Sequence, residues 1–251
     1  MEKGSPPDLS VVIPAYNEEE RLRRHLPGIV EFLRNKGLRF EIFVVNDGSK
    51  DGTARATEEL ARTYPMVRLI SLNPNRGKGG AVRAGMLAAT GQFVLFTDAD
   101  QSTPISEMDK LLEELGDGGH DIAIGSRAVY GAEVKQPQAL HRALAGKLFG
   151  WGTKTLCIRG ISDTQCGFKA MTREAAQNIF PQVTSDTAIF DIEMLVVATR
   201  EGYRVAEVPV KWVHDPDTRI PYDLRRALRI WAELFRIRRA QRVGWPLEIK
   251  G

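Results

Sequence analysis

The chain has little cysteine, little net charge and no long apolar run, and each shortage removes a class of protein. Its two cysteines, Cys157 and Cys166, stand nine positions apart in no metal-binding pattern, which suits reduced thiols in the cytoplasm. A formal net charge of +3 is too small to argue for nucleic acid. No apolar stretch approaches the ~20 residues that span a bilayer. Residues 1–8 carry Pro6 and Pro7 but no apolar signal-peptide core. These shortages predict a cytoplasmic protein, soluble or peripheral on a membrane face, with no nucleic-acid partner. What remains is ample: 251 residues, 43% hydrophobic and 27% charged, can bury the core of one large domain. No repeat and no low-complexity linker divides it.

Positive charge is concentrated in the tail. Eight arginines fall between Arg219 and Arg242, with only Asp223 and Glu233 among them. Residues 223–241 read as a helix. At about 100° per residue, Leu224, Leu228, Trp231 and Phe235 share a stripe bordered by Ile230, Leu234 and Ile237. Arg225, Arg226, Arg229, Arg236 and Arg239 lie largely opposite. Such a face suits an interfacial helix on an anionic bilayer. It also suits a helix docked on the sheet, or on the second copy of a homodimer.

From residue 9 to 125 strands alternate with helices. Apolar runs at residues 9–13, 41–46, 67–72, 93–97 and 121–125 predict strands, and residues 18–35, 53–64, 81–89 and 104–116 predict helices. Ser49 or Asp51 is placed to cap the second helix. This alternation means right-handed βαβ units, an α/β fold and a mostly parallel central sheet flanked by helices. Beyond residue 126 the pattern loosens. A loop is expected at 129–138, helices at 141–156 and 189–201, and strands at 166–171 (against the sheet) and 203–213. The expected division is a disordered N-terminus over 1–8, a catalytic domain over 9–220, and a basic amphipathic helix and tail over 221–251.

The run Phe93-Val94-Leu95-Phe96-Thr97 delivers Asp98 and Asp100 at a strand's C-terminal end, the side on which open α/β sheets bind ligands. Two carboxylates there suit a hard divalent cation bridging a diphosphate. The loops at 14–18 and 46–49 share that edge. Asp47 offers an acceptor to a base or ribose, Asp100 a metal ligand, and Asp98 either. Gly77-Lys78-Gly79-Gly80 resembles a phosphate cradle but lacks both the Walker spacing and G-x-G-x-x-G. Lys78, near a helix N-terminus, suits a phosphate or a base carbonyl, or is a solvated lysine.

Several stretches resemble the family 2 glycosyltransferases: Val12-Ile13-Pro14-Ala15-Tyr16-Asn17-Glu18, Val45-Asn46-Asp47-Gly48-Ser49, Asn75-Arg76-Gly77-Lys78-Gly79 and Thr97-Asp98-Ala99-Asp100. Ile124-Gly125-Ser126-Arg127, Asp163-Thr164-Gln165-Cys166-Gly167-Phe168-Lys169, Phe190-Asp191-Ile192-Glu193 and Glu207-Val208-Pro209-Val210-Lys211-Trp212 look like the branch making polyprenyl- and dolichyl-phosphate sugars, most of all the dolichyl-phosphate β-glucosyltransferases. The resemblance covers residues 9–220. It implies a GT-A fold, a nucleotide-sugar donor, Mg²⁺ or Mn²⁺, and inversion at the anomeric carbon. Carried over, Pro14, Tyr16, Glu18, Val45 and Asp47 would hold base and ribose. Asp98, Ala99 and Asp100 would hold ribose, diphosphate and metal, and Arg127 would face a phosphate. Two departures separate the chain from the mannosyl branch. Ser102 stands where that branch has a metal-binding glutamine, with Gln101 displaced by one. Of a basic pair near the sheet's end, Arg219 can stand for the lysine while Val213 replaces the arginine. Both favour glucosyl transfer.

An acceptor monophosphate, with a second pKa of about 6, is already ionised near neutrality and needs positive charge more than a base. A neutral alcohol needs a carboxylate. Asp163 and Asp191 are the candidates, helped by Lys169 and Arg127, with Arg127 and Arg219 on the acceptor phosphate. Asp191 and Glu193, two apart on a helix, face different ways. The expectation is a metal-dependent inverting enzyme moving glucose from UDP-glucose to a polyprenyl or dolichyl phosphate. GDP-mannose or a soluble phosphorylated acceptor is the alternative. A nucleotidyltransferase would need a glycine-rich basic loop where this chain has Tyr16-Asn17-Glu18-Glu19-Glu20. A non-catalytic binding module would not need all these carboxylates.

Overall fold

In the computed structural model, residues 5–135, 158–213, 224–240 and 247–248 are described, the side chains of 135, 224–230, 240 and 247–248 excepted. The chain runs β1 (Leu9–Ala15), α1 (Glu19–Asn35), β2 (Phe40–Asn46), α2 (Thr53–Thr63), β3 (Val67–Ser71), α3 (Gly77–Ala88) and β4 (Phe93–Thr97). It continues through α4 (Met108–Gly116), β5 (Ile122–Ser126), β6 (Glu133–Lys135), β7 (Ile158–Arg159), β8 (Phe168–Thr172), α5 (Arg173–Ile179) and α6 (Phe190–Arg200). It ends in β9 (Val205–Pro209), β10 (Lys211–Val213), α7 (Leu224–Ala240) and β11 (Leu247–Glu248).

Seven strands form one sheet in the order β3-β2-β1-β4-β8-β5-β9. Only β8 runs against its neighbours β4 and β5 in it; the other pairings are parallel, as the alternating sequence predicts. Because strand side chains alternate in direction, Val12, Val94 and Phe96 face α3, α5 and α6, while Val11, Ile13 and Leu95 face α1 and α4. Both faces are covered, so the strands read as apolar runs. Along α1, Leu22, Leu26, Ile29, Val30 and Leu33 are buried, each stabilising the fold by roughly 1.5–3 kcal/mol.

The structure moves several sequence-based boundaries. Gly52, not Ser49 or Asp51, is the N-cap of α2; Asp51, one residue before it, accepts the Thr53 N–H through Oδ1 at 3.0 Å, while Ser49 Oγ accepts the Asn17 N–H at 2.9 Å. The strand expected over 203–213 divides at Pro209, which has no N–H to donate and sits on the edge strand β9. From there β10 leaves the sheet to pair with β6, a short strand inside the expected 129–138 loop. Asp8, expected in a disordered N-terminus, takes the Arg39 N–H at 3.0 Å. The expected 141–156 helix lies outside the described residues.

α3 starts at Gly77, four residues before the sequence suggests, so the glycine-rich stretch is its first turn and not a loop. Gly77 has φ +84°, and the Gly79 N–H donates to the Asp186 carbonyl at 3.0 Å. A Cβ on Gly79 would lie 2.3 Å from the Ser185 carbonyl oxygen. These glycines seat the helix start against residues 185–187, a close approach that only a missing side chain permits.

Among the described side chains, the C-terminal helix docks by two residues that border its apolar stripe and by Trp231 of the stripe itself, while Phe235 turns outward. Leu234 and Ile237 are buried in the core, Trp231 is half-buried against it, and Phe235 is 53% exposed. Glu233 accepts hydrogen bonds from Ser185 Oγ at 2.5 Å and Thr187 Oγ1 at 2.7 Å, and Arg236 donates to Thr184 Oγ1 at 2.9 Å. No helix among the described residues is long and apolar enough to cross a membrane.

Candidate active site

The parallel strands β1, β2 and β4 end together at one edge of the sheet, and their loops enclose a cavity of about 620 Å³. Pro14, Tyr16, Glu18, Asp47, Lys78, Asp98, Ala99 and Asp100 line it. The ninth residue expected in donor binding, Val45, does not. It is wholly buried on the face packed against α3, where its Cγ2 would be 3.0 Å from a Cβ on Gly85.

Asp47 is buried, with both carboxylate oxygens turned to the start of α3. Oδ1 accepts the Arg76 N–H at 2.7 Å and Oδ2 the Gly77 N–H at 2.8 Å. The carboxylate thereby satisfies two of the amides that a helix start leaves unpaired. Asn75, unremarked in the sequence beyond its motif, donates Nδ2 to the Asp47 carbonyl at 2.7 Å and lines the cavity. Arg21 was also missed; its guanidinium pairs with Glu18 at 2.9 Å, the i,i+3 spacing being its only sequence signal.

Asp98 and Asp100 leave the end of β4 as the strand's residues predict. Asp98 Oδ1 pairs with Lys78 Nζ at 2.7 Å. Burial opposes the lysine's charge, but Asp98, Asp191 and Asp100 around it hold its pKa above the ordinary value. Lys78 is therefore a charged wall of the cavity and not a free surface lysine. Asp100 Oδ1 accepts the Ser102 N–H at 2.9 Å, and Gln101 (φ +51°) folds its amide back onto Thr97 Oγ1 at 3.1 Å. Among the described residues no three His, Cys, Asp or Glu side chains group as a metal site. Both aspartates line the cavity, and their carboxylates are the hard oxygen donors that suit a divalent cation whose other ligands are phosphate oxygens and water.

On the far side of Asp98, where β8 enters the edge, Gly167 lets the carboxylate approach: a Cβ there would be 2.0 Å from Asp98 Oδ2. The preceding turn carries Asp163, which holds Arg127 at the end of β5. Asp163 Oδ2 accepts Arg127 Nε at 2.6 Å and the Arg127 N–H at 3.1 Å, and Oδ1 accepts Nη2 at 2.8 Å. Burial works against the Asp163 charge, yet Arg127 outweighs it and its pKa lies below the usual carboxylate range. The guanidinium lies 5.5 Å from the Trp212 ring centroid.

Behind this pair lies a second, deeper one. Lys169, the second residue of β8, is wholly buried; its Nζ donates to Asp191 Oδ1 at 2.5 Å and to the Cys166 carbonyl at 2.6 Å. Burial raises the Asp191 pKa, against the charges of Lys169 and Lys78. Glu193 faces elsewhere, as expected, accepting the Thr184 and Ser185 N–H groups at 2.9 and 2.6 Å. All four residues singled out for catalysis are therefore gathered, but as two closed ion pairs. Arg219 lies outside the described residues.

Known proteins are similar to this chain in sequence and in fold. The model of the family described as "Glycosyl transferase family 2" matches residues 10–180. A dolichyl-phosphate β-glucosyltransferase of Dictyostelium discoideum is 36% identical over 226 residues, 84% of this chain and 69% of its own length. One of Saccharomyces cerevisiae is 38% identical over 229 residues, 83% of this chain and 67% of its own. Among solved structures, a mannosyltransferase from Pyrobaculum calidifontis in complex with GDP-mannose and Mn²⁺ superposes with a TM-score of 0.61 at 25% identity, covering 97% of this chain and 66% of that one. Glucosyl-3-phosphoglycerate synthase from Mycobacterium tuberculosis, solved with Mn²⁺, UDP-glucose and phosphoglyceric acid, shares the fold at a TM-score of 0.65 and 18% identity, covering 94% and 79%. The sheet is thus that of a GT-A glycosyltransferase. Matched over most of its length by the family model and by relatives well above 30% identity, the chain belongs to glycosyltransferase family 2.

Proposed function

We propose that this glycosyltransferase moves glucose from UDP-glucose to a polyprenyl or dolichyl phosphate, with inversion and with Mg²⁺ or Mn²⁺ at the diphosphate. One observation carries the acceptor class: both carboxylates singled out as candidate bases are already held by cations, Asp163 by Arg127 and Asp191 by Lys169. A neutral alcohol would need one of them free. A phosphate monoester ionised near neutrality needs only positive charge and alignment. Arg127 supplies both, since Asp163 engages Nε and Nη2 and leaves Nη1 to a phosphate oxygen. Asp163 is then the residue that holds Arg127, and not the proton acceptor.

In the transfer, an acceptor phosphate oxygen bonds to the anomeric carbon as the bond from that carbon to the diphosphate breaks. The nucleoside diphosphate leaves with the electron pair. Asp98 and Asp100 would hold the cation, which supplies charge neutralisation on the leaving diphosphate. Lys78 adds a protein cation beside Asp98. Pro14, Tyr16, Glu18 and Asp47 shape the space for base and ribose. The names of the relatives support glucose and dolichyl phosphate as substrates. The outward side of α7, with Phe235 and neighbouring arginines, would rest on an anionic membrane and bring the enzyme to its lipid.

The test is transfer of label from UDP-glucose and GDP-mannose in parallel, to a short polyprenyl phosphate in detergent or to soluble phosphate esters. Label entering the organic phase from UDP-glucose alone is the expected result. Transfer from GDP-mannose would overturn the donor assignment, and transfer only to soluble esters the acceptor assignment.

A further inference from the structure

We propose that Glu207 is a positioning residue for the transfer, aiming Arg127 at the acceptor phosphate through the Ser162–Asp163 turn. The inference rests on Arg127 being the acceptor-phosphate contact. Glu207 sits on edge strand β9, paired in register with Ile124 of β5, the strand that ends just before Arg127. Its half-buried carboxylate points at a turn. Oε1 accepts the Asp163 N–H at 2.8 Å and the Ser162 N–H at 3.0 Å, and Oε2 accepts the Ser162 N–H at 2.9 Å. Two converging backbone donors on one carboxylate make a charge-assisted clamp, roughly twice as strong as its neutral counterpart. The turn it fixes carries Asp163, whose two oxygens hold Arg127, Oδ1 also accepting the Gln165 N–H at 3.2 Å. Glu207, Asp163 and Arg127 are linked end to end by hydrogen bonds.

The same segment closes the other side. After Pro209, the Val210 N–H donates to the Ser126 carbonyl at 3.2 Å, bringing Trp212 against the guanidinium. The stretch from Glu207 to Trp212 therefore grips Arg127 from two directions, by charge through Asp163 and by an aromatic face. An arginine held in this way presents its remaining N–H donors without searching rotamers, the benefit that supporting contacts bring to a binding group.

The experiment compares Glu207→Ala, Glu207→Gln, Arg127→Ala and the double variant Glu207→Ala/Arg127→Ala in the full chain. It measures KM separately for UDP-glucose and for polyprenyl phosphate. Glu207→Ala is expected to raise the acceptor KM about tenfold and leave the donor KM within about twofold, with Gln recovering part of the loss. In the Arg127→Ala background the same change should move the acceptor KM by less than about twofold, because residues in one network do not add. Equal losses in both backgrounds, or donor and acceptor KM moving together, would overturn the inference. If Glu207→Ala does not fold, the Gln variant runs the same cycle. An unchanged acceptor KM in Arg127→Ala refutes the acceptor reading itself. A raised one that Glu207 variants fail to share refutes only the role of Glu207.

Discussion

Replacing Lys169 with Met tests how the deeper ion pair is balanced. The wild-type ammonium is wholly buried, bonded to Asp191 Oδ1 and the Cys166 carbonyl, and lies 5.2 Å from the Phe96 ring centroid. Met fills similar space but leaves the 3%-exposed Asp191 without its cation. Breaking a buried pair in this way costs about 3–5 kcal/mol. A ceiling comes from proton uptake: starting from an ordinary value of 3.8, neutralising the carboxyl at pH 7 costs about 1.4 kcal/mol per pH unit, or about 4 kcal/mol. The sign follows. Burial raises the folded-state pKa of Asp191, so the folded variant binds the extra proton, and its stability falls as pH rises through that raised value. The deficit against wild type should shrink on acidification from about pH 8 to about pH 5. Urea unfolding at several pH values measures it. Lys169→Met/Asp191→Leu should recover most of the stability, since an apolar replacement of a whole buried pair is often neutral. A single-variant loss below about 1 kcal/mol, or one independent of pH, would refute the reasoning.

Three further outcomes follow from the packing. Gly79→Ala puts a methyl 2.3 Å from the Ser185 oxygen and 2.8 Å from Phe190 Cβ, so it should cost about 1–3 kcal/mol and raise the donor KM by displacing Lys78. Thermal unfolding and donor titration check this, and an unchanged donor KM would contradict it. Ile237→Ala should cost about 2–5 kcal/mol, whereas Phe235→Asp should stay within about 0.5 kcal/mol yet weaken pelleting with anionic vesicles at low salt. Equal destabilisation by the two would reverse the assigned docking face. Burial pushes the Cys166 thiol up to about 11, so alkylation near neutral pH should proceed only on unfolding, as peptide mapping would detect; rapid labelling of the folded protein would contradict it.

The parallel sheet was legible because each strand is an apolar run followed by a helical period, and the edge site because Asp98 and Asp100 follow such a run directly. Lys78 was legible as a residue near a helix start, but not the reason for its glycines. Only the fold brings Ser185 and Asp186, a hundred positions away, against Gly77 and Gly79. The pairing of Asp163 with Arg127 and of Asp191 with Lys169 was hidden for the same reason: ion pairs across β5, β8 and α6 leave no mark in local spacing. Periodicity showed the apolar face of α7 but not which part of it docks: the core beneath takes Leu234, Ile237 and Trp231 and leaves Phe235 exposed. Val45 carries a motif position, yet alternation along β2 turns its side chain into the core.

The central claim, that Asp98 and Asp100 bring a metal-bound nucleotide sugar to the end of β4, is tested most directly by calorimetric titration of UDP-glucose with and without Mn²⁺. Wild type should bind at least about tenfold more tightly with the metal, about 1.4 kcal/mol, and Asp98→Asn/Asp100→Asn should lose that difference. Affinity that ignores both the metal and the two substitutions would contradict the account.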